Sequence, residues 1–156
     1  MSEGEKARLV AWNHELRAVH GRLRDALEVA RTAIVNGETG VAAARDLLLF
    51  CHGFCTALTK HHHGEDRHLF PALAAEHPEL GETLRALRQD HSMIEYLITG
   101  LEDAVTRAAP AHELNRHLEG IAAIMENHFR YEERVLNDVL AGLRLDADTG
   151  DVLGPL

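Results

Sequence analysis

An α-helix returns to nearly the same face every four residues. This chain uses that return twice to set an ionisable pair inside an apolar stripe. With His61 at zero, a rotation of about 100° per residue puts Glu65 at about 40°, Phe54 at about 20°, Leu58 at about 60° and Leu69 at about 80°. With His128 at zero, Glu132 falls at about 40°, Ile121 at about 20°, Met125 at about 60° and Leu136 at about 80°. Both His-x-x-x-Glu pairs therefore point where the leucines point. Surface i,i+4 pairing is the plain reading of one such pair. Two of them on core-facing stripes need another reason, because buried histidines and carboxylates are costly unless paired or metal-bound.

The rest of the pattern supplies four helices to carry that core. The first is expected from about Glu3 to Val35, ended by Asn36-Gly37, and the second from about Gly40 to Ala75. Pro71 predicts a kink or an early end in the second. The third is expected from Pro78 to about Ala108, closed by Pro110, and the fourth from about Ala111 to Leu140 with Gly142 as its stop. Short connections predict an all-α, up-down-up-down antiparallel four-helix bundle over residues 1–142. Residues 143–156 are expected to be a loosely held C-terminal tail. The segments also repeat. Aligning His61 with His128 aligns Glu65 with Glu132, Asp66 with Glu133, Arg67 with Arg134 and Leu69 with Leu136. His20 in the first segment matches His91 in the third, each followed by apolar residues at +3 and +7. The chain reads as two helix pairs related by a pseudo-twofold axis.

Composition narrows the function. The 156 residues carry a net charge of −9 and 12 histidines against 4 phenylalanines. No basic stripe suggests nucleic acid, no apolar run suggests a membrane span, and no leader is visible at the N-terminus. A cytoplasmic, histidine-rich helical bundle is expected to bind metal. His20, His61, Glu65, His91, His128 and Glu132 are the candidate ligands, set between four helices so that two ions can share the carboxylates. The mixed nitrogen and oxygen set suits iron; manganese is a weaker fit, and a single tetrahedral zinc needs fewer ligands. Glu95, four residues after His91, and His62, at the edge of the stripe, are further candidates. Tyr96 and Tyr131 are expected to adjoin the site. His14 lies opposite its helix's apolar stripe, and His52, His63, His68, His77 and His112 lack periodic support, so all are expected in solvent. His117 is expected to be a core histidine without a metal. Cys51 and Cys55, four apart on one helix, are poorly spaced for a disulfide and are expected to be packing residues.

His20, His61 with Glu65, Leu69-Phe70-Pro71, His91, and His128 with Glu132 together resemble the hemerythrin-like, or HHE cation-binding, family. The resemblance spans positions 20 to 132. It implies a four-helix bundle holding two iron ions, oxygen-bridged, that meets O₂, hydrogen peroxide or nitric oxide. The pattern departs from that of the oxygen-carrying members. Their third helix has His-x-x-x-His where this chain has His91-x-x-x-Glu95, and their fourth has His-x-x-x-x-Asp where Glu132 stands at +4. The resemblance thus implies members linked to iron sensing, nitrosative repair or peroxide removal. Three functions follow as expectations: a binder of a small oxidant, a peroxidase, catalase-like or nitric-oxide-handling oxidoreductase with an unidentified electron donor, and a sensor acting through a partner. The last is the least supported, since no second domain is evident to receive a signal.

Overall fold

The computed structural model describes residues 10–35 and 41–156, with the backbone alone for 35 and 41–48. Four long helices make the bundle: α1 (Trp12–Val35), α2 (Val41–Gly64), α4 (Gly81–Thr106) and α5 (Ala111–Ala141). Between α2 and α4 come a π-helical turn (Glu65–Leu69), the short α3 (Phe70–Glu76) and a 3₁₀ turn (Pro78–Leu80). The chain ends with α6 (Thr149–Leu153). No strand occurs among the described residues. Helix α1 packs on α2 and α5, and α4 packs on the same two. The two helices that carry His-x-x-x-Glu, α2 and α5, are therefore diagonal across the bundle.

The apolar stripes close on one another as the 3.6-residue phase requires. Leu16, Leu23, Leu27 and Ile34 of α1, Phe54 and Leu58 of α2, Leu84, Leu87, Ile94 and Ile98 of α4, and Ile121, Met125, Leu136 and Leu140 of α5 are all buried. Cys51 and Cys55 are buried and free, and burial raises their thiols to about 11 and about 12. Each is thus protonated and unreactive at neutral pH.

Three local expectations need correction. Val10 and Ala11 are not helical, so α1 starts at Trp12; residues 1–9 and 36–40, where the sequence suggested a helix start at about Glu3, the Asn36-Gly37 stop and a second start at about Gly40, lie outside the described residues. The disturbance at Pro71 is a π-turn. Proline has no N–H, so the ordinary i→i−4 ladder is broken there, and the Phe70 N–H reaches back five residues to the Glu65 carbonyl. The third correction is the C-terminal segment. Leu143, Val152 and Leu153 are buried, the Trp12 indole N–H donates to the Leu145 carbonyl at 3.2 Å, and Arg22 donates to the Leu156 carbonyl at 3.1 Å. Residues 143–156 form a strap packed against the bundle end rather than a loose tail.

Candidate metal centre

Seven ionisable side chains meet in the bundle interior: His20 from α1, His61 and His62 from the last turn of α2, Glu65 from the π-turn, His91 from α4, and His128 and Glu132 from α5. All are buried. They divide into two groups whose ligand atoms lie within 4.8 Å of one another: His62, Glu65, His91 and His128 in one, His20, His61 and Glu132 in the other. Within each i,i+4 pair the Nε2 atom faces its own glutamate, at 3.0 Å for His61–Glu65 and 3.1 Å for His128–Glu132. The remaining histidines cross over. His20 Nε2 stands 3.3 Å from Glu132, and His91 Nε2 stands 3.6 Å from Glu65. Each carboxylate is thus shared between two helices, as the pseudo-twofold axis demands.

The outer ring nitrogens explain why the inner ones point inward. His20 Nδ1 lies 3.2 Å from Glu133, His91 Nδ1 2.8 Å from Asp66, His128 Nδ1 3.0 Å from Asp90, and His61 Nδ1 2.8 Å from the Leu153 carbonyl. Each outer nitrogen donates its proton to an oxygen, so the Nε2 lone pair is left aimed at the interior, the tautomer a metal ligand needs. Two of those lone pairs, on His91 and His128, face each other at 3.1 Å. Only a proton or a cation between them removes that repulsion. Nε2 of His20, His61 and His62 and all four oxygens of Glu65 and Glu132 are buried without an aligned hydrogen-bond partner. Short distances alone do not satisfy them, because the angles miss. Such a set is too costly to leave bare. A pair of divalent or trivalent cations fits it in number, in charge and in donor type.

Charge states point the same way. Burial lowers the His61 imidazole to about 4 and holds His62 well below its ordinary value, both helped by neighbouring histidines. Burial would also lower His91, but Asp66, Glu132 and Glu65 outweigh it and raise the ring to about 10. Burial and the facing charge of Glu132 push the Glu65 carboxyl well above its usual range. Without a cation, protons on His91 and between the two glutamates offset the clustered lone pairs.

Aromatic stacking fixes the rings from behind. His62 stacks on His91 with centroids 3.9 Å apart, and Phe129 stacks on His20 at 3.7 Å. His62 and Phe129 are equivalent in the repeat, each following the histidine of its His-x-x-x-Glu. The two halves therefore differ by one imidazole, which gives three histidines to one group and two to the other. On the outside, Arg24 binds Glu126 at 2.8 Å and Glu133 at 3.1 Å, holding the acceptor of His20 in place.

The fold brings seven of the eight candidates together. Glu95 is the exception. Its side chain is 60% exposed and stands 3.8 Å from His63 outside the cluster. A +4 step from His91 carries it beyond the edge of the α4 stripe, where Tyr96 is also exposed. His14, His52, His68 and His112 are exposed as expected, whereas His117 is half-buried beside Gly100 rather than in the core. Asp66 and Asp90 had no assigned role, and Glu133, expected to lie partly at the metal and partly in solvent, instead accepts from His20. The repeat alignment of Asp66 with Glu133 was the available signal for two of them. The Leu153 carbonyl is backbone and leaves no mark in the sequence.

The profile of the family described as the Hemerythrin HHE cation binding domain matches residues 13–140. The chain belongs to this family. No curated protein and no solved structure gives a match. As a hemerythrin HHE domain the chain has a buried His/Glu site of the kind its family's description names, and none of its described helices is long and apolar enough to cross a membrane.

Proposed function

We propose that this HHE domain holds two iron ions and binds or reduces a small oxidant: hydrogen peroxide, O₂ or nitric oxide. The observation that carries the reading is the convergence of five imidazoles and two carboxylates, of which three imidazoles and both carboxylates have inward atoms with no aligned protein partner, while the other two imidazoles face only each other. His62, His91 and His128 would hold one ion and His20 and His61 the other, with Glu65 and Glu132 shared. When bound, such a pair supplies one electron from each Fe(II), enough to reduce peroxide to water with two protons.

The chain's own residues set the terms of that chemistry. A cavity of about 30 Å³ opens beside the three-histidine group, lined in part by Thr59, His62, His91 and Ile98. It admits a molecule the size of water or a diatomic and excludes a larger reductant. A preference for peroxide over O₂ storage draws nothing from Glu95, which lies outside the site. It rests on Asp66, Asp90 and Glu133, which accept protons from three ligand histidines, make those rings stronger donors and so favour Fe(III). His63, half-exposed at the cavity mouth, stands 3.8 Å from Glu95.

Elemental analysis and optical spectra of protein grown in iron-rich medium test the proposal. About two irons per chain are expected, with spectral change when peroxide is added to the ferric form. Absence of any transition metal would refute it. A stable oxygenated spectrum that reverses under vacuum, without peroxide consumption, would make the protein an oxygen carrier instead. Sustained turnover of peroxide would mark an enzyme rather than a binder. The reading also places the protein in the cytoplasm.

A further inference from the structure

The pseudo-twofold axis predicts an acceptor that the bundle lacks. On one side Asp90, which precedes His91, receives the Nδ1 proton of His128 at 3.0 Å. The equivalent residue on the other side precedes His20 and is Val19, which accepts nothing. His61, the counterpart of His128, instead donates to the Leu153 carbonyl at 2.8 Å. The C-terminal strap thus supplies from outside the bundle the oxygen that the repeat omits.

The strap's backbone lies directly against α2, with no side chain in between. A methyl group at Gly64 would collide with the Val152 carbonyl, and one at Gly154 would stand 2.9 Å from the His61 backbone nitrogen. Gly154 also has φ of +93°, a conformation that L side chains rarely adopt. Val152 and Leu153 are fully buried, and Asp148 caps α6 by accepting from the Gly150 N–H at 2.8 Å. Two glycines, one on each surface, permit the close approach that brings the Leu153 carbonyl to the ring.

We propose that the C-terminal strap is a positioning element for His61, so that strap docking and filling of the His20–His61–Glu132 subsite are thermodynamically linked. The proposal rests on the two-ion reading above. With the carbonyl in place, His61 keeps its proton on Nδ1 and presents the Nε2 lone pair. With the strap displaced, the ring loses its tautomeric preference and its fixed orientation. Linkage is reciprocal: a strap that favours the ion must be held more firmly when the ion is bound.

Anaerobic titration of the full-length chain with ferrous iron, in wild type, Gly154→Ala and Gly64→Ala, is the test. Both variants keep all seven ligands. The expected result is one ion bound as in wild type and the other roughly 10- to 100-fold more weakly, the usual effect of losing an outer hydrogen-bond partner. Adding Val19→Asp to Gly154→Ala should restore the second ion by supplying the missing acceptor. In wild type, amide exchange over residues 149–154 should slow when iron is bound. Wild-type affinity for two ions in both glycine variants would overturn the proposal. So would loss of both ions together without rescue by Val19→Asp, or strap exchange indifferent to iron, because a merely structural strap would behave in those ways. Failure of the wild-type chain to take up iron would instead overturn the two-ion reading, and this proposal with it.

Discussion

Four of the five candidate ligand histidines, His20, His61, His91 and His128, set the far nitrogen against an oxygen, and burial in the cluster separates the candidates from the bystanders. His20 donates to Glu133 and faces Glu132, while His14, six residues earlier on the same helix, is exposed. His62 stacks on His91 within the cluster, whereas Glu95 is 60% exposed beside His63. Substitution by alanine should follow these placements. His20→Ala and His62→Ala should each lower metal content by about one ion per chain, with affinity at the affected position falling at least as far as the roughly 10- to 100-fold typical of outer partners. His14→Ala and Glu95→Ala should leave two. Elemental analysis of the four purified variants checks this, and full metal loading of His62→Ala would remove that residue from the shell. Helical phase was enough to set His20 in the core and His14 in solvent, because the two lie far apart on the wheel. It was not enough for Glu95 and His62, which sit at the margins of their stripes, where a small rotation decides between core and solvent.

At the scale of elements, the π-turn is the feature that regular periodicity conceals. Counting about 100° per residue from His61 puts Phe70 at about 180°, on the solvent side of a regular helix. Phe70 is instead fully buried and lies 5.5 Å from the His91 ring, nearly parallel to it. The extra residue in the turn rotates the downstream face backwards, so that Leu69, Phe70 and Leu73 all reach the core. Phe70→Ala should therefore cost about 3–5 kcal/mol in denaturant unfolding of the metal-free chain, as for a buried phenylalanine. A cost below about 0.5 kcal/mol, typical of a surface change, would mean a regular helix and an exposed ring. The sequence made the four helices and their inward faces legible, since those depend only on local period. It showed the break at Pro71 but not its form, because a kink and a π-turn answer the same missing N–H. The strap was illegible for a different reason. Residues 143–156 dock through three scattered apolar side chains, Leu143, Val152 and Leu153, and through backbone brought close by Gly64 and Gly154, and neither leaves a periodic signature.

For the whole molecule, the buried cluster couples stability to both metal and pH. Consider first the metal-free chain. His61 is lowered from 6.5 to about 4, so as pH falls through that window the unfolded chain takes up a proton that the folded one refuses, and stability drops. His91 is raised from 6.5 to about 10 by its carboxylate neighbours, against the opposing effect of burial. Its contribution is complete below 6.5 and is lost as pH rises toward 10. The raised Glu65 carboxyl adds a loss that begins at its ordinary 4.5 and is offset up to 6.5 by the lowered His61 and His62. Metal-free protein should accordingly be most stable near pH 6.5 and weaken in both directions. Metal changes the alkaline limb. Binding at Nε2 requires His91 to give up its proton, so affinity rises with pH up to about 10, and stabilisation by bound metal rises with it. The loaded chain should hold its stability where the metal-free chain declines, and the gap between them should widen from about pH 6.5 to 9. Denaturant midpoints measured across about pH 5 to 9, with and without ferrous iron under anaerobic conditions, provide the comparison. A metal-free midpoint that climbs steadily to pH 9, or a gap that narrows over the same range, would show that the lone pairs of this core are not held apart by protons in the way its geometry requires.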